Sequence, residues 1–347
     1  MDQGTRRVTI ADVAEKAGVS KTAVSFAFNS PDRLNAATAS RILDVAQELG
    51  YRPDPVARML SQRRTGAIGV LTPQELSVIF TNPFFAAFSA GIAGVAEEHG
   101  YGLHFISPLH GSLTSAIHRA TVDGVVAIGL TDDHPEIGEI RRAGVPMVLV
   151  DSNTAGDVAS VDVDDEGGAR LAAQHVIDLG HREIAILAIE GPEFAAVGEQ
   201  GVVARRLRGY RETLAAAAIE VPTDAIATGN ASIDGGRAAF ERIWAAGRRP
   251  TAILAMSDGM AIGAIRAIRD GGHSVPGDVS VIGFDDVDLA ASTDPPLTTI
   301  HQPVRGKGET VVRLLLSVIE GRDAAPGHQR LETRLVVRSS TGPVPAP

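Results

Sequence analysis

Downstream of Thr65 the chain alternates between short runs of β-forming residues and longer stretches with a helical pattern. The short runs are AIGVL (67–71), DGVVAIG (123–129), PMVLVD (146–151), REIAIL (182–187), AILAM (252–256) and VSVIGF (279–284). This alternation is typical of parallel sheets with helices on both faces, because each parallel connection needs a crossover helix. We therefore predict an α/β core for most of the molecule.

Aspartates follow several of these runs, at the strand end where parallel sheets bind ligands. They are Asp151, Asp258 and the pair Asp285 and Asp286. A lone aspartate in such a position is more often a helix cap or a turn residue than a ligand. The aspartates alone therefore leave both interpretations open.

Length and composition limit the remaining possibilities. The 347 residues, 44% of them apolar and 21% charged, suit two or three globular domains. The absence of cysteine excludes a disulfide framework, a thiolate metal site and a cysteine nucleophile. No apolar run approaches the length of a membrane span, and residues 1–30 lack the apolar core of a secretion signal. We therefore expect a cytoplasmic protein without a membrane partner.

The charge of the chain is divided unevenly. Residues 1–65 carry ten Lys and Arg against seven Asp and Glu, whereas residues 66–347 carry 22 against 35, and the formal net charge of the whole chain is −10. A basic N-terminal segment on an acidic body suits a protein that presents one end to a polyanion. Charge alone leaves a chance fluctuation in a short segment as the alternative.

The N-terminal segment VTIADVAEKAGVSKTAVSFAFN (8–29) predicts two short helices joined by a tight turn. The apolar stripe of the first helix, residues 10–17, ends before Gly18. Ser20 can cap a second helix over residues 21–28. This spacing is that of a helix-turn-helix unit.

One face of the second helix is chemically suited to DNA. The positions that do not pack inward are Lys21, Thr22, Ser25 and Phe26. In a major groove, a lysine can reach guanine acceptors and an aromatic edge can meet a thymine methyl group. The alternative for Phe26 is that its ring folds back onto a third helix.

A third helix and a short hinge complete the N-terminal unit. Asn35 can cap the third helix, whose apolar residues repeat at helical spacing up to Gly50. The sequence DPVARMLS (54–61) begins with a cap and a proline and predicts a helix of about seven residues. Because so short a helix is marginal in water, we expect two copies to pack together on DNA with an apolar wedge in the minor groove. A flexible linker is the alternative.

Residues 8–65 resemble the headpiece and hinge of the LacI/GalR family of bacterial transcription regulators, and further family motifs follow. These motifs are NPFF (82–85), RLRGY (206–210), MSDGMAIGAIRAI (256–268), VPGDVSVIGFDD (275–286) and PPLTTIHQP (295–303). The resemblance implies base contacts by Lys21, Thr22 and Phe26, DNA backbone contacts by Ser20, Ser25 and Asn29, and minor-groove contacts by the hinge residues Val56, Ala57 and Leu60. Two positions depart from the family, since Phe26 stands where arginine is common and Asp54 replaces the hinge asparagine.

The same resemblance implies a two-lobed α/β core like that of periplasmic sugar-binding proteins, with three crossings of the chain between the lobes. The expected domains are a headpiece (1–52), a hinge helix and linker (53–65), an N-terminal lobe (66–160 with 293–323), a C-terminal lobe (161–292 with 324–342) and a tail (343–347). The crossings are therefore expected near residues 160, 292 and 324.

The cleft between the lobes is the implied effector site, and its implied binding residues are Phe84, Phe85, Asp151, Arg206 and Asp258. A guanidinium group and a carboxylate beside an aromatic wall suit a polyhydroxylated ligand, since both can hold paired hydroxyl groups. Ala231 stands where several family members have an aromatic residue, so one stacking surface is missing. We expect a sugar or a sugar derivative as the effector, with a purine or a nucleoside as the alternative.

No motif for enzymatic chemistry accompanies these features. The sequence contains no glycine-rich nucleotide loop after a strand, no nucleophile elbow and no histidine pair at metal-ligand spacing. We therefore predict no catalysis, no metal and no cofactor.

The predicted function is that of a sequence-specific transcription regulator. We expect it to bind a palindromic operator on double-stranded DNA and to repress transcription under the control of a small molecule. The rival is a cytoplasmic solute-binding protein without DNA function, and the helix-turn-helix segment argues against it.

We expect the protein to assemble as a homodimer. Ile262, Ile265 and Arg266 are expected on the contact helix. The last ten residues, RSSTGPVPAP, contain prolines that prevent a tetramerising coil.

Overall fold

The computed structural model describes residues 8–54, 59, 64–108, 112–152, 156–190, 201–322 and 327–344. The chain divides into two compact units, Met1–Thr65 and Gly66–Pro347. Within the described ranges, every helix is too short or too polar to cross a bilayer.

The described part of the first unit contains the three predicted helices. They are α1 (Ile10–Ala17), α2 (Lys21–Asn29) and α3 (Ala36–Glu48), and a 3₁₀ turn (Pro31–Arg33) joins α2 to α3. Thr9 and Asp12 form a capping box at the start of α1, and Gly18 ends this helix with a φ of 66°. The helices enclose a small apolar core, so the predicted helix-turn-helix is confirmed.

The second unit contains two six-stranded sheets. The strands of the first sheet are β1 (Ala67–Leu71), β2 (Gly102–Ile106), β3 (Gly124–Ile128), β4 (Met147–Val150), β5 (Ser160–Val163) and β11 (His328–Leu331). Their order is β11-β5-β4-β3-β1-β2, and all neighbouring strands are parallel.

The second sheet repeats this plan. Its strands are β6 (Ile184–Ile189), β7 (Ile226–Gly229), β8 (Ala252–Ala255), β9 (Ser280–Asp285), β10 (Thr298–His301) and β12 (Arg334–Val336). Their order is β12-β10-β9-β8-β6-β7, and only the pairing of β12 with β10 is antiparallel. The predicted core of parallel sheets is therefore confirmed.

Helices cover both sheets. They are α4 (Leu76–Ile79), α5 (Pro83–Glu98), α6 (Leu113–Arg119), α7 (Pro135–Arg142), α8 (Asp165–Asp178), α9 (Val202–Ala216), α10 (Ile233–Ala245), α11 (Asp258–Asp270), α12 (Asp288–Ser292) and α13 (Val304–Ile319). The central strands β3, β4, β8 and β9 are buried along their whole length, as strands covered on both faces are. Each sheet thus forms a separate lobe with its own apolar core.

The chain crosses between the lobes three times, and two of the crossings differ from the prediction. β10 belongs to the second sheet and α13 packs on the first, so the second crossing lies at residues 302–303 and not near 292. β11 pairs with β5 and β12 pairs with β10, so the third crossing lies at residues 332–333 and not near 324. The lobe ranges 293–323 and 324–342 are therefore wrong. These strands have only three or four residues, and backbone pairing with a neighbour decides which sheet they join.

Candidate functional site

The DNA-facing residues expected from the sequence lie on α2. Lys21 and Thr22 are exposed, and Phe26 is half-buried. Among the described residues, the apolar cluster that forms the core of the first unit does not include Phe26. Its ring instead lies against Arg33, whose Cζ is 5.3 Å from the ring centre. The Phe26 ring thus lies against the turn that joins α2 to α3.

The residues expected to contact the DNA backbone are on the same helix. Ser20 caps α2, with its Oγ accepting a hydrogen bond from the main-chain nitrogen of Ala23 at 3.1 Å. Asn29 Nδ2 donates to Ser25 Oγ at 3.4 Å. The expected hinge residues Val56, Ala57 and Leu60 lie outside the described residues.

In the second unit, a cavity is lined by residues from the carboxyl ends of both sheets. The empty space within it amounts to about 650 Å³, which includes space open to solvent. Thr72, Gly129 and Asp151 follow strands of the first sheet, and Ser257 and Asp285 lie at strand ends of the second. This is the edge at which parallel sheets bind ligands.

Phe84 and Phe85 line the cavity from the first turn of α5. Asn82 caps this helix, and its Oδ1 accepts a hydrogen bond from the main-chain nitrogen of Phe84 at 3.0 Å. The two rings meet edge to face, with centroids 5.6 Å apart, and Phe84 stacks on Phe88 behind it. The aromatic wall is therefore held firmly by the core of the first lobe.

Arg206 lines the cavity from α9 and is held on three sides. Its Nε donates to Asp165 Oδ1 at 2.9 Å, its Nη1 donates to the main-chain carbonyl of Met256, and its Cζ lies 3.6 Å from the centre of the Phe284 ring. Arg205 donates to the other oxygen of Asp165 at 2.6 Å. Burial acts to raise the pKa of Asp165, but the two guanidinium groups hold this pKa below its ordinary value. The aspartate therefore stays ionised and orients Arg206.

Asp285 faces the same cavity from the end of β9. Gln302 Nε2 donates to its Oδ1 at 2.6 Å, and Arg206 Nη1 is 3.9 Å from that oxygen. Burial raises the pKa of Asp285 to about 6, against the opposing effect of Arg206. The sequence placed Asp285 at a strand end but did not predict it as an effector ligand, because its proximity to Arg206 depends on the fold.

A buried lysine on α13 links the end of β4 to the segment at residues 302–303 in which the chain crosses between the lobes. Lys307 Nζ donates to Asp151 Oδ1 and Oδ2 at 2.8 and 3.0 Å and to Gln302 Oε1 at 2.7 Å. Because Gln302 also donates to Asp285, a continuous hydrogen-bonded path runs from Asp151 in the first lobe to Asp285 in the second. Burial raises the pKa of Asp151, although Lys307 acts to lower it.

No motif in the sequence singles out Lys307. The one available signal was its position on α13, three residues after Val304 and four before Val311, within the stripe that faces the core. A lysine in an apolar stripe is rarely fully buried without a partner. Its partner Asp151 is distant in the sequence, so only the fold identifies the pair.

Three aspartates at strand ends adopt a positive φ. The angles are 58° for Asp151, 125° for Asp285 and 58° for Asp286. Residues other than glycine seldom adopt this conformation, and such strain is concentrated at ligand sites. Two of the three line the cavity.

The prediction that Asp258 binds the effector is wrong, since this residue does not line the cavity. Its carboxylate is fully buried and accepts hydrogen bonds from the main-chain nitrogen of Val287 at 2.9 Å and from Thr299 Oγ1. Burial and the neighbouring Asp285 raise the pKa of Asp258 well above its ordinary value. Asp258 therefore secures the segments behind the cavity, and Ser257 before it lines the cavity instead.

The prediction that Ile262 and Ile265 form a dimer contact is also wrong. They are only 2% and 3% exposed and belong to the apolar core of the second lobe. Of the three residues expected on the contact helix, only Arg266 is exposed.

Two family models match the chain. Residues 9–54 match the model of bacterial regulatory proteins of the lacI family. Residues 173–341 match the model of a periplasmic binding protein-like domain.

Similar proteins extend over almost the whole chain. The HTH-type transcriptional regulator CelR of Thermobifida fusca is 34% identical over 343 residues, which cover 96% of this chain and 98% of CelR. The HTH-type transcriptional repressor CytR of Escherichia coli (strain K12) is 32% identical over 343 residues, which cover 97% of each chain.

Solved structures of related proteins show the same architecture. The complex of the transcriptional regulator CelR with cellobiose matches with a TM-score of 0.69 at 33% identity and covers 96% of this chain and 100% of CelR. The lac repressor dimer bound to operator and the anti-inducer ONPF matches with a TM-score of 0.79 at 31% identity, covering 97% of this chain and 100% of the repressor chain. These relatives are DNA-binding regulators and not enzymes. This chain therefore belongs to the lacI family of bacterial regulatory proteins and is a DNA-binding transcriptional regulator.

Proposed function

We propose that the protein is a cytoplasmic repressor that binds a palindromic operator as a homodimer and is controlled by a sugar or a sugar derivative. The observation that carries the effector assignment is the cavity in which Arg206 and Asp285 lie beside an aromatic wall. The related CelR structure holds cellobiose and the related lac repressor structure holds an operator and ONPF, which supports both parts of the proposal.

The free polar atoms of the cavity suit adjacent hydroxyl groups. Among the described residues, Arg206 Nη2 and Asp285 Oδ2 have no hydrogen-bond partner. A sugar hydroxyl can accept from the first atom and donate to the second, and charge-assisted hydrogen bonds of this kind are strong. The carboxylate of Asp151 is compensated by Lys307, so the cavity does not call for a charged ligand.

The aromatic surfaces favour a sugar over a purine. Phe84 and Phe85 form one wall, and Ala231 lines the cavity where a second stacking residue is absent. A purine gains most when both of its faces are stacked, whereas a sugar needs one apolar wall and paired hydrogen bonds.

The effector response follows from contacts with both lobes. A ligand held by Phe84 on one side and by Arg206 on the other stabilises a particular arrangement of the lobes. It changes DNA affinity only through its different affinity for the operator-bound and free states. In this proposal, closure of the lobes alters the spacing of the two hinge segments in the dimer.

DNA recognition is assigned to α2. Lys21, Thr22 and Phe26 read bases in the major groove, while Ser20, Ser25 and Asn29 contact the DNA backbone and Val56, Ala57 and Leu60 of the hinge contact the minor groove. The exposure of Lys21 and Thr22 supports this placement.

The test combines DNA selection with ligand binding. The full-length protein is first used to select sequences from a pool of random DNA, and the selected DNA is then titrated in the presence of sugars, nucleosides and purines. We expect a palindromic sequence to be selected and a sugar to weaken its binding, with direct sugar binding visible by calorimetry. Selection of no sequence would refute the operator assignment, and a response to purines alone would refute the sugar assignment.

A further inference from the structure

The second helix of the helix-turn-helix has only one cationic side chain, Lys21. Phe26 occupies the position that, by the resemblance, arginine commonly fills. A phenylalanine can contact a thymine methyl group but cannot donate hydrogen bonds to a base edge. The helix by itself therefore lacks a guanidinium group for guanine, which is the commonest specific contact in the major groove.

The turn that follows α2 carries an arginine whose guanidinium group lies next to the ring of Phe26. Arg33 is the last residue of the 3₁₀ turn, and its Cζ lies 5.3 Å from the centre of the Phe26 ring. This distance is within the range of a cation–π contact. The contact places a positive charge beside the ring of Phe26, which lies one helical turn after Thr22 on the same face of α2.

The backbone of this turn is anchored to the end of α2. The main-chain nitrogen of Ser30 donates to the carbonyl of Phe26 at 2.8 Å, and that of Arg33 donates to the carbonyl of Ser30 at 3.0 Å. Pro31 fixes its own φ at the first position of the turn. The base of the Arg33 side chain is therefore held in a constant position relative to Phe26.

The guanidinium group of Arg33 is available for a ligand. Arg33 is exposed, and within the part of the chain that the structure describes it forms no ion pair and no side-chain hydrogen bond. The neighbouring Asp32 is exposed as well and does not pair with it. A guanidinium group held on an aromatic face keeps its N–H edge free to donate.

We propose that Phe26 and Arg33 read one base pair as a unit, in which the ring positions the guanidinium group and Arg33 donates to the O6 and N7 atoms of a guanine. The turn thus supplies the arginine that α2 lacks. This inference rests on the proposed placement of α2 in the major groove. It predicts a definite pattern, because removing either partner must affect the same base pair.

The experiment repeats the selection from random DNA with the full-length variants Arg33→Ala, Phe26→Leu and Lys21→Ala. We expect Arg33→Ala and Phe26→Leu to weaken the preference for guanine at one shared position by roughly 10-fold, while Lys21→Ala affects a different position. The double variant Arg33→Ala with Phe26→Leu should lose no more of the guanine preference at that position than either single variant, because the effects of coupled residues are not additive. Arg33→Lys should not restore the preference, because lysine lacks the planar fork.

Arg41→Ala is the matched control, because Arg41 is an exposed arginine of the same unit that lies on α3. It should leave every base preference unchanged. The inference is overturned if Arg33→Ala keeps the wild-type preferences, or if it weakens all sequences equally with a smaller salt dependence, as loss of a phosphate contact would. Selection of no sequence by the wild-type protein overturns the proposed operator binding and this inference together.

Discussion

Lys307 places its Nζ 2.8 Å from Asp151 Oδ1 and 3.0 Å from Asp151 Oδ2, and the lysine side chain is completely buried. The pair joins α13 to the end of β4 next to the effector cavity. Through Gln302 it also reaches Asp285 in the other lobe. Removing one partner of a buried ion pair leaves the charge of the other uncompensated. The contact therefore connects the stability of the core to the cavity.

Replacement of the lysine tests this connection. Lys307→Met keeps much of the side-chain volume but leaves Asp151 buried without its cation, so we expect a loss of about 3–5 kcal/mol in the free energy of unfolding. Urea denaturation measures this loss. The double variant Lys307→Met with Asp151→Asn removes both charges and should recover part of it. Equal stability of the single and double variants would contradict the role of the ion pair.

Arg206 and Arg205 provide a matched test of the effector site. Both contact Asp165, but only Arg206 lines the cavity. We therefore expect Arg206→Ala and Arg205→Ala to destabilise the second unit, whereas only Arg206→Ala should abolish sugar binding. Calorimetry below the unfolding temperature of each variant separates the two effects. Unchanged sugar binding by Arg206→Ala would remove this residue from the site.

Effector binding should depend on pH through Asp285. Burial raises the pKa of Asp285 from 3.8 to about 6, so its carboxyl group is protonated at pH 5 and ionised at pH 7. Since a sugar hydroxyl donates to the ionised form, we expect affinity to increase between pH 5 and pH 7 with release of protons. Titration calorimetry in two buffers measures both quantities. Asp285→Asn should bind with little pH dependence between these values.

The same shift in pKa affects stability with the opposite sign. Stability that comes from the protonated Asp285 is fully present below pH 3.8 and is lost as the pH rises through about 6. The wild type therefore loses stability over this pH window, whereas Asp285→Asn has no carboxyl group to titrate there. We expect the unfolding free energy of the variant to rise relative to that of the wild type as the pH increases. Parallel urea curves for the two proteins at pH 4 and pH 7 provide the measurement. A constant difference would show that Asp285 has an ordinary pKa.

Two glycines of α5 should respond oppositely to alanine. A Cβ on Gly91 would lie 2.1 Å from the carbonyl oxygen of Arg305 on α13, whereas a Cβ on Gly94 would meet nothing within 4 Å. We expect Gly91→Ala to destabilise the second unit by about 1–3 kcal/mol, because the two helix backbones would have to separate. Gly94→Ala should stabilise it by up to about 1 kcal/mol, because alanine has the higher helix propensity. Thermal unfolding of both variants decides the matter.

Several features of the protein follow from local sequence. The helix-turn-helix was predictable because caps, apolar spacing and a helix-ending glycine all lie within about twenty residues, and Gly18 and Ser20 act as expected. The long buried strands were predictable because covered parallel strands are continuous apolar runs. The short strands β10 and β11 contain no such run, so the sequence predicts the wrong lobe for each of them.

The sequence by itself determined the class of the protein: a helix-turn-helix unit followed by an α/β core whose strand ends carry aspartates. It also placed Phe84, Phe85, Asp151 and Arg206, which line the cavity. Only the tertiary structure decided which strand-end aspartates face the cavity, since Asp258 turns its carboxyl group to Val287 and Thr299 while Asp285 lines the cavity. The ion pair of Lys307 with Asp151 and the contact of Arg33 with Phe26 were also decided only by the tertiary structure. Pairing between side chains depends on distances across the fold, and local spacing along the chain contains no measure of them.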